Sequence, residues 1–97
     1  MTDTPLSSQE KKKLRGIAQR LKPSVQIGKE GVTPASLVEL ERALSREELI
    51  KVKVGPSASD FGGSCAKIAQ ELNCEIVGTV GRTVSFYRKK AVVGEVD

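Results

Sequence analysis

Histidine and tryptophan are absent from these 97 residues, and the aromatic side chains stop at Phe61, Phe86 and Tyr87. Without histidine there is no Ser-His-Asp arrangement, no imidazole for acid/base work near neutral pH, and none of the commonest zinc ligand. Three aromatics are too few for a base-stacking platform of the kind that reads single strands. Cysteine is scarce as well. Cys65 and Cys74 have no second pair to complete a tetrahedral metal site. No signal-peptide pattern precedes them, so they read as reduced thiols, with Cys65 on an apolar helical stripe. No apolar run approaches the ~18 residues of a membrane-spanning helix, and the chain reads as soluble and cytoplasmic. Walker-type and dinucleotide-type glycine motifs are also missing. What remains is a small protein with no enzymatic constellation, cofactor, metal or small-molecule substrate, for which a monomer is the default.

The length suffices for one domain with one modest core. Residues 1–6 read as a flexible N-terminus, 7–90 as the domain, and 91–97 as a loose, slightly acidic tail. Ser7 followed by Glu10 is a capping-box pattern, and Leu14, Ile17, Ala18 and Leu21 recur at helical spacing, which predicts a helix over 8–21, ended by Pro23. Gly16 within it suggests close packing against another backbone. Val25 and Ile27 form a short strand that stops at Gly28. Thr33 then caps a second helix with Pro34 at its first position and Val32 stapled onto Leu37; Leu37, Leu40 and Leu44 give that helix its apolar face. Ile50 to Val54 alternates strictly, placing Lys51 and Lys53 together on one face. Ser59 is a candidate cap for a third helix through Phe61, Cys65, Ile68, Ala69 and Leu72. A hairpin closes the domain, with one strand through Ile76, Val77 and Val80, a turn at Gly81-Arg82, and a second strand from Thr83 to Lys89. The order α-β-α-β-α-β-β predicts a two-layer α/β domain with a mixed four-stranded sheet, parallel where helices cross over and antiparallel at the hairpin.

Sixteen Lys and Arg against twelve Asp and Glu leave a net charge of only +4, but the distribution is uneven. Lys11, Lys12, Lys13, Arg15, Arg20, Lys22 and Lys29 succeed one another with no acid between them, and Arg82, Arg88, Lys89 and Lys90 cluster around the last strand. The second helix and its exit carry Glu39, Glu41, Glu47 and Glu48. Basic segments of this kind neutralise phosphates and release counterions. The turn Gly28-Lys29-Glu30-Gly31 adds a second signal. Its glycines let backbone approach a ligand, and the helix start behind it offers N–H groups and a favourable dipole to phosphate; KH domains clamp nucleic-acid backbone with a G-x-x-G loop. Gly78-Thr79-Val80-Gly81 has the same spacing but is better explained by a bulge and a hairpin turn.

Four stretches in order, Leu21-Lys22-Pro23, Ile27-Gly28-Lys29-Glu30-Gly31-Val32-Thr33, Glu48-Leu49-Ile50-Lys51-Val52-Lys53-Val54 and Gly81-Arg82-Thr83-Val84-Ser85-Phe86-Tyr87-Arg88, resemble the CRM family, the chloroplast RNA-splicing and ribosome-maturation domains, in their stand-alone bacterial YhbY-like form. The resemblance covers roughly 7–90. It implies a fold similar to the C-terminal domain of bacterial translation initiation factor 3, with no enzymatic activity. It also implies binding to ribosomal RNA in precursors of the large subunit. The family's G-x-x-G contact carries over to Gly28 and Gly31 with Lys29 between them. Glu30 departs from what a phosphate contact favours, since its carboxylate either weakens the contact or turns outward. The RNA-binding surface expected from residues and resemblance together comprises Lys11, Lys12, Arg15, Arg20, Lys22, Gly28, Lys29 and Gly31, flanked by Arg82 and Arg88. Lys51 and Lys53 have a weaker claim, because alternation does not say what borders their face. A different class of function, a protein-interaction module presenting its acidic second helix to a basic ribosomal protein, is the alternative.

Overall fold

The computed structural model describes residues 6–56 and 60–89. The expected tail over 91–97, Lys90 and the Ser59 cap lie outside them. Seven elements follow one another: α1 (Ser8–Ala18), β1 (Val25–Ile27), α2 (Pro34–Glu47), β2 (Leu49–Val54), α3 (Phe61–Leu72), β3 (Glu75–Val80) and β4 (Thr83–Tyr87). Ser7 and Glu10 form the capping box read from the sequence, and Thr33 pairs reciprocally with Ser36 at the start of α2. Asp60 caps α3 by accepting from the Gly63 N–H at 2.9 Å, in the role expected of Ser59. The α-helix of α1 stops at Ala18, short of Leu21, because the chain tightens into i→i−3 bonds from Arg20 to Ile17 and from Leu21 to Ala18 ahead of Pro23. Gly16 is exposed, and a Cβ there would meet nothing within 4 Å, so no close backbone contact explains it.

The sheet order is β1-β2-β4-β3. β1 and β2 are parallel across α2, as a crossover requires. β2 and β3 do not pair. Both run antiparallel to β4, which lies between them. A one-residue connection, Glu48 at φ 62°, turns α2 directly into β2. The β3–β4 ladder slips between Ile76 and Gly78, so the second G-x-x-G-like stretch is indeed a bulge followed by a turn at Gly81, φ 59°.

Period-two alternation divides the sheet's faces. Val25, Ile27, Ile50, Val52, Val54, Val84 and Phe86 point to α2 and α3 and build the main core with Leu40, Leu44, Cys65 and Ile68. Leu49 and Val77 point the other way and form a smaller cluster with Ala18, against which Leu6, Leu14, Leu21 and Tyr87 pack. The expected two layers are thus the sheet and the α2/α3 pair, and α1 adds a partial third layer on the opposite face. Among the described residues α1 covers only part of that face and leaves the rest open.

Candidate nucleic-acid interface

Three connections meet at the end of the sheet where β1 and β2 finish. Gly28 to Gly31 closes as a turn, the Gly31 N–H donating to the Gly28 carbonyl at 3.0 Å, with Gly31 at φ 76°. The Gly55 N–H donates to the Ile27 carbonyl at 2.8 Å, which ties the end of β2 to the root of that turn. Arg82 Nε donates to the Val54 and Gly55 carbonyls, each at 3.2 Å, and its guanidinium lies 5.4 Å from the centre of the Phe61 ring. Arg82 therefore stands at the loop end as expected, but as a half-buried strut among β2, the hairpin and α3.

α1 carries Lys11, Lys12 and Arg15 on the sheet face opposite α2 and α3, its first turns toward Leu49 and Tyr87 at the far end of the sheet. Its last turns lie over the middle of the sheet, where Lys51 Nζ donates to the Leu21 carbonyl at 3.3 Å and so caps the end of the winding chain. Lys12, Arg15, Arg20, Lys22 and Lys29 are exposed and Lys11 is half-buried. Among the described residues none of the seven basic side chains from Lys11 to Lys29 forms an ion pair. Arg15 is aimed by its stem, which lies across Gly78: a Cβ at that glycine would stand 2.9 Å from Arg15 Cγ and closer still to Cδ. The β3 bulge thus opens a seat for Arg15 that no other residue type leaves free.

Two candidates are placed differently from what their sequence suggests. Arg88 does not stand with Arg82 at the loop end. It lies beyond the opposite end of β4, where Nη1 and Nη2 hold the Glu41 carboxylate at 2.8 and 2.7 Å and also reach the Leu72 carbonyl and Ser45 Oγ. The start of α2 offers less to phosphate than its position suggested. Pro34 has no N–H, that of Ser36 is taken by Thr33 Oγ1 and that of Leu37 by the Thr33 carbonyl, which leaves Ala35. The depression beside it, about 290 Å³, is lined by Glu30 and Glu39 as well as Lys29. Lys53 is the residue whose place the sequence left open. It is exposed on the face that α1 shares, between Gln26 of β1 and Thr83 of β4.

On the second helix Glu39, Glu41 and Glu47 are exposed, two of them beside a cation. Glu41 is bound by Arg88, and Glu47 lies 4.0 Å from Arg46. Cys65 and Cys74 are free and buried. Among the described residues no group of His, Cys, Asp and Glu could hold a metal ion, and no helix is long and apolar enough to cross a membrane.

A mixed four-stranded sheet with α1 on one face, α2 and α3 on the other, and a glycine turn at one end make this a small α/β module. Residues 6–88 match the CRS1/YhbY (CRM) domain model, and the chain belongs to that family. A Haemophilus influenzae relative named RNA-binding protein is 37% identical over 86 residues, covering 88% of this chain and 87% of its own. A Pseudomonas aeruginosa protein, named a probable RNA-binding protein, is 33% identical over 85 residues, covering 87% and 82%. The solution structure of a hypothetical protein from Staphylococcus aureus superimposes with a TM-score of 0.70 at 28% identity, covering 95% of this chain and 97% of that one.

Proposed function

We propose that this protein is a non-enzymatic RNA-binding module that grips structured RNA by its phosphate backbone, and that its partner in the cytoplasm is ribosomal RNA of large-subunit precursors. The observation that carries the reading is the cationic run from Lys11 to Lys29, which forms no ion pair among the described residues and leads along the chain into the Gly28–Gly31 turn. Lys11, Lys12, Arg15, Arg20 and Lys22 supply the field, Lys29 supplies a point charge, and Gly28 and Gly31 let main-chain groups approach. Arg82 supports this surface from beneath, while Arg88 serves the fold. Scarce aromatics favour recognition of RNA shape over base sequence. The names of the relatives agree with RNA as the ligand.

The test is binding to large-subunit ribosomal RNA fragments across a salt series, with no protein partner present. Affinity falls steeply with salt, and each of Lys12→Ala, Arg15→Ala and Lys29→Ala lowers the logarithmic salt slope by about 1. Salt-independent binding, or slopes unchanged in all three variants, refutes the surface. Co-sedimentation with large-subunit precursors that is lost at high salt supports the ribosomal partner, and its absence at every salt concentration removes it.

A further inference from the structure

The open part of the sheet carries a cross-strand row that the basic run alone does not reveal. Gln26 pairs with Lys53 across β1 and β2, Lys53 with Thr83 across β2 and β4, and Thr83 with Val80 across β4 and β3. Val52 and Val54, on either side of Lys53, are buried against α2 and α3, so Lys53 projects from the opposite face, the one that α1 only partly covers. Gln26 and Lys53 are exposed, Thr83 is half-buried and Val80 is 72% exposed. Among the described residues, the side chains of Gln26, Lys53 and Thr83 have no hydrogen-bond or ion-pair partner. A neighbouring narrow cleft between α1 and the sheet is lined by Arg15, Gln19, Lys51 and Ser85 and has no acid in its wall.

We infer that the RNA backbone crosses this open row, passing from Arg15 of α1 over Thr83, Lys53 and Gln26 to the Gly28–Gly31 turn, and not through the depression between that turn and α2. The inference rests on the RNA-binding reading above and assigns the path and the contacts. Charge decides between the two routes. The depression puts Glu30 and Glu39 in its wall, and a phosphate entering it would meet both carboxylates. The row instead puts the Lys53 ammonium beside an amide and a hydroxyl, with no carboxylate among its members or in the adjoining cleft. Three adjacent strands spread Gln26 to Thr83 over about 10 Å, so the row engages more than one backbone unit. Lys53 is a point charge for phosphate. Gln26 and Thr83 can each both donate and accept, which suits the ribose 2′-hydroxyl, the group that distinguishes RNA from DNA. With no aromatic side chain in the row, bases are not stacked there.

The experiment measures the affinity of the full chain for large-subunit ribosomal RNA fragments and for DNA of the same sequence, in the wild type and in Lys53→Gln, Gln26→Ala with Thr83→Val, Glu39→Gln and Arg15→Ala. Thermal melts check that each variant is folded. Lys53→Gln is expected to weaken RNA binding several-fold, with a salt slope lower by about 1. The Gln26/Thr83 pair is expected to narrow the preference for RNA over DNA. Glu39→Gln is expected to change affinity by less than about twofold, because water and salt screen a carboxylate away from the path. Unchanged binding in Lys53→Gln while Arg15→Ala weakens it, or a tenfold tightening in Glu39→Gln, overturns the path and leaves the RNA-binding reading standing. A wild-type chain that binds no RNA overturns both.

Discussion

Arg88 holds Glu41 through both terminal nitrogens, at 2.8 and 2.7 Å, across 47 positions of sequence. The same guanidinium donates to the Leu72 carbonyl at 2.9 Å and so fastens the last turn of α3 to α2 and to the chain leaving β4. Its side chain is 23% exposed, whereas that of Glu41 is 48% exposed, so solvent screens the pair and its electrostatic contribution is modest. Arg88→Ala removes the ion pair and the Leu72 bond together and is expected to cost about 1–2 kcal/mol. Chemical denaturation measures this loss, and RNA affinity at a temperature where the variant remains folded should be unchanged.

The same contact sets an acid dependence. The hydrogen bond from Arg88 holds the Glu41 carboxyl below its ordinary range, outweighing the opposing effect of burial. A carboxyl whose pKa is lower in the folded state gives its stabilisation in full above its unfolded pKa and loses it as pH falls through the folded value. Unfolding free energy should therefore decline on acidification through and below the ordinary carboxylate range. Glu41→Gln should flatten part of that decline. Identical pH profiles for the two proteins would remove Glu41 as a contributor.

The parts of this molecule legible in the sequence are those governed by neighbouring residues. Ser7 with Glu10, Thr33 with Pro34, and the alternation from Ile50 to Val54 are local patterns with local causes, and they place the elements to within a few residues. Strand order is not local. That β4 enters between β2 and β3 follows from which edges can pair once α3 has crossed the sheet, and nothing in residues 75–87 states it. The basic run was visible for the same local reason, whereas the fate of each cation depended on what folding put beside it. Arg88 met Glu41, Arg82 met the Val54 and Gly55 carbonyls, and Lys53 met an open sheet. The start of α2 offers fewer donors than its sequence suggests, because Pro34 has no N–H and Thr33 Oγ1 takes that of Ser36, which leaves that of Ala35.

Burial makes both thiols poor nucleophiles. Desolvation raises Cys65, and pushes Cys74 up to about 11 against a partly opposing effect of the nearby Arg88 charge. Thiolate is the reactive form. At mildly alkaline pH a disulfide reagent should modify neither cysteine until the protein opens, with rates rising through the denaturation transition. Rapid modification of the native protein would contradict the buried packing.

Gly78 and Arg15 form a pair in which a backbone position governs a side chain. Gly78→Ala puts a methyl where the Arg15 stem lies, and the arginine must leave its seat. Arg15 is exposed and can turn to solvent, so the stability cost should be small, about 1 kcal/mol or less. Its guanidinium would no longer be aimed along the sheet. RNA affinity is expected to fall in Gly78→Ala by as much as in Arg15→Ala, and the double variant should be no worse than either. Additive losses would show that Gly78 acts by another route.

The two glycines of the turn separate folding from binding. Gly31 has φ 76°, so alanine there is strained by about 1–2 kcal/mol even though a Cβ meets nothing within 4 Å. Gly28 has no such constraint, and its Cβ would also project into open space. Gly28→Ala should therefore leave the unfolding free energy within about 0.5 kcal/mol of wild type. If main-chain groups of the turn approach phosphate, the added methyl stands in that approach and RNA affinity falls while Lys29 and the rest of the surface remain. A loss in Gly31→Ala alone mixes strain with contact. A loss in Gly28→Ala at unchanged stability isolates the contact, and unchanged affinity in that variant would assign the turn a structural role and leave RNA binding to the lysines and arginines.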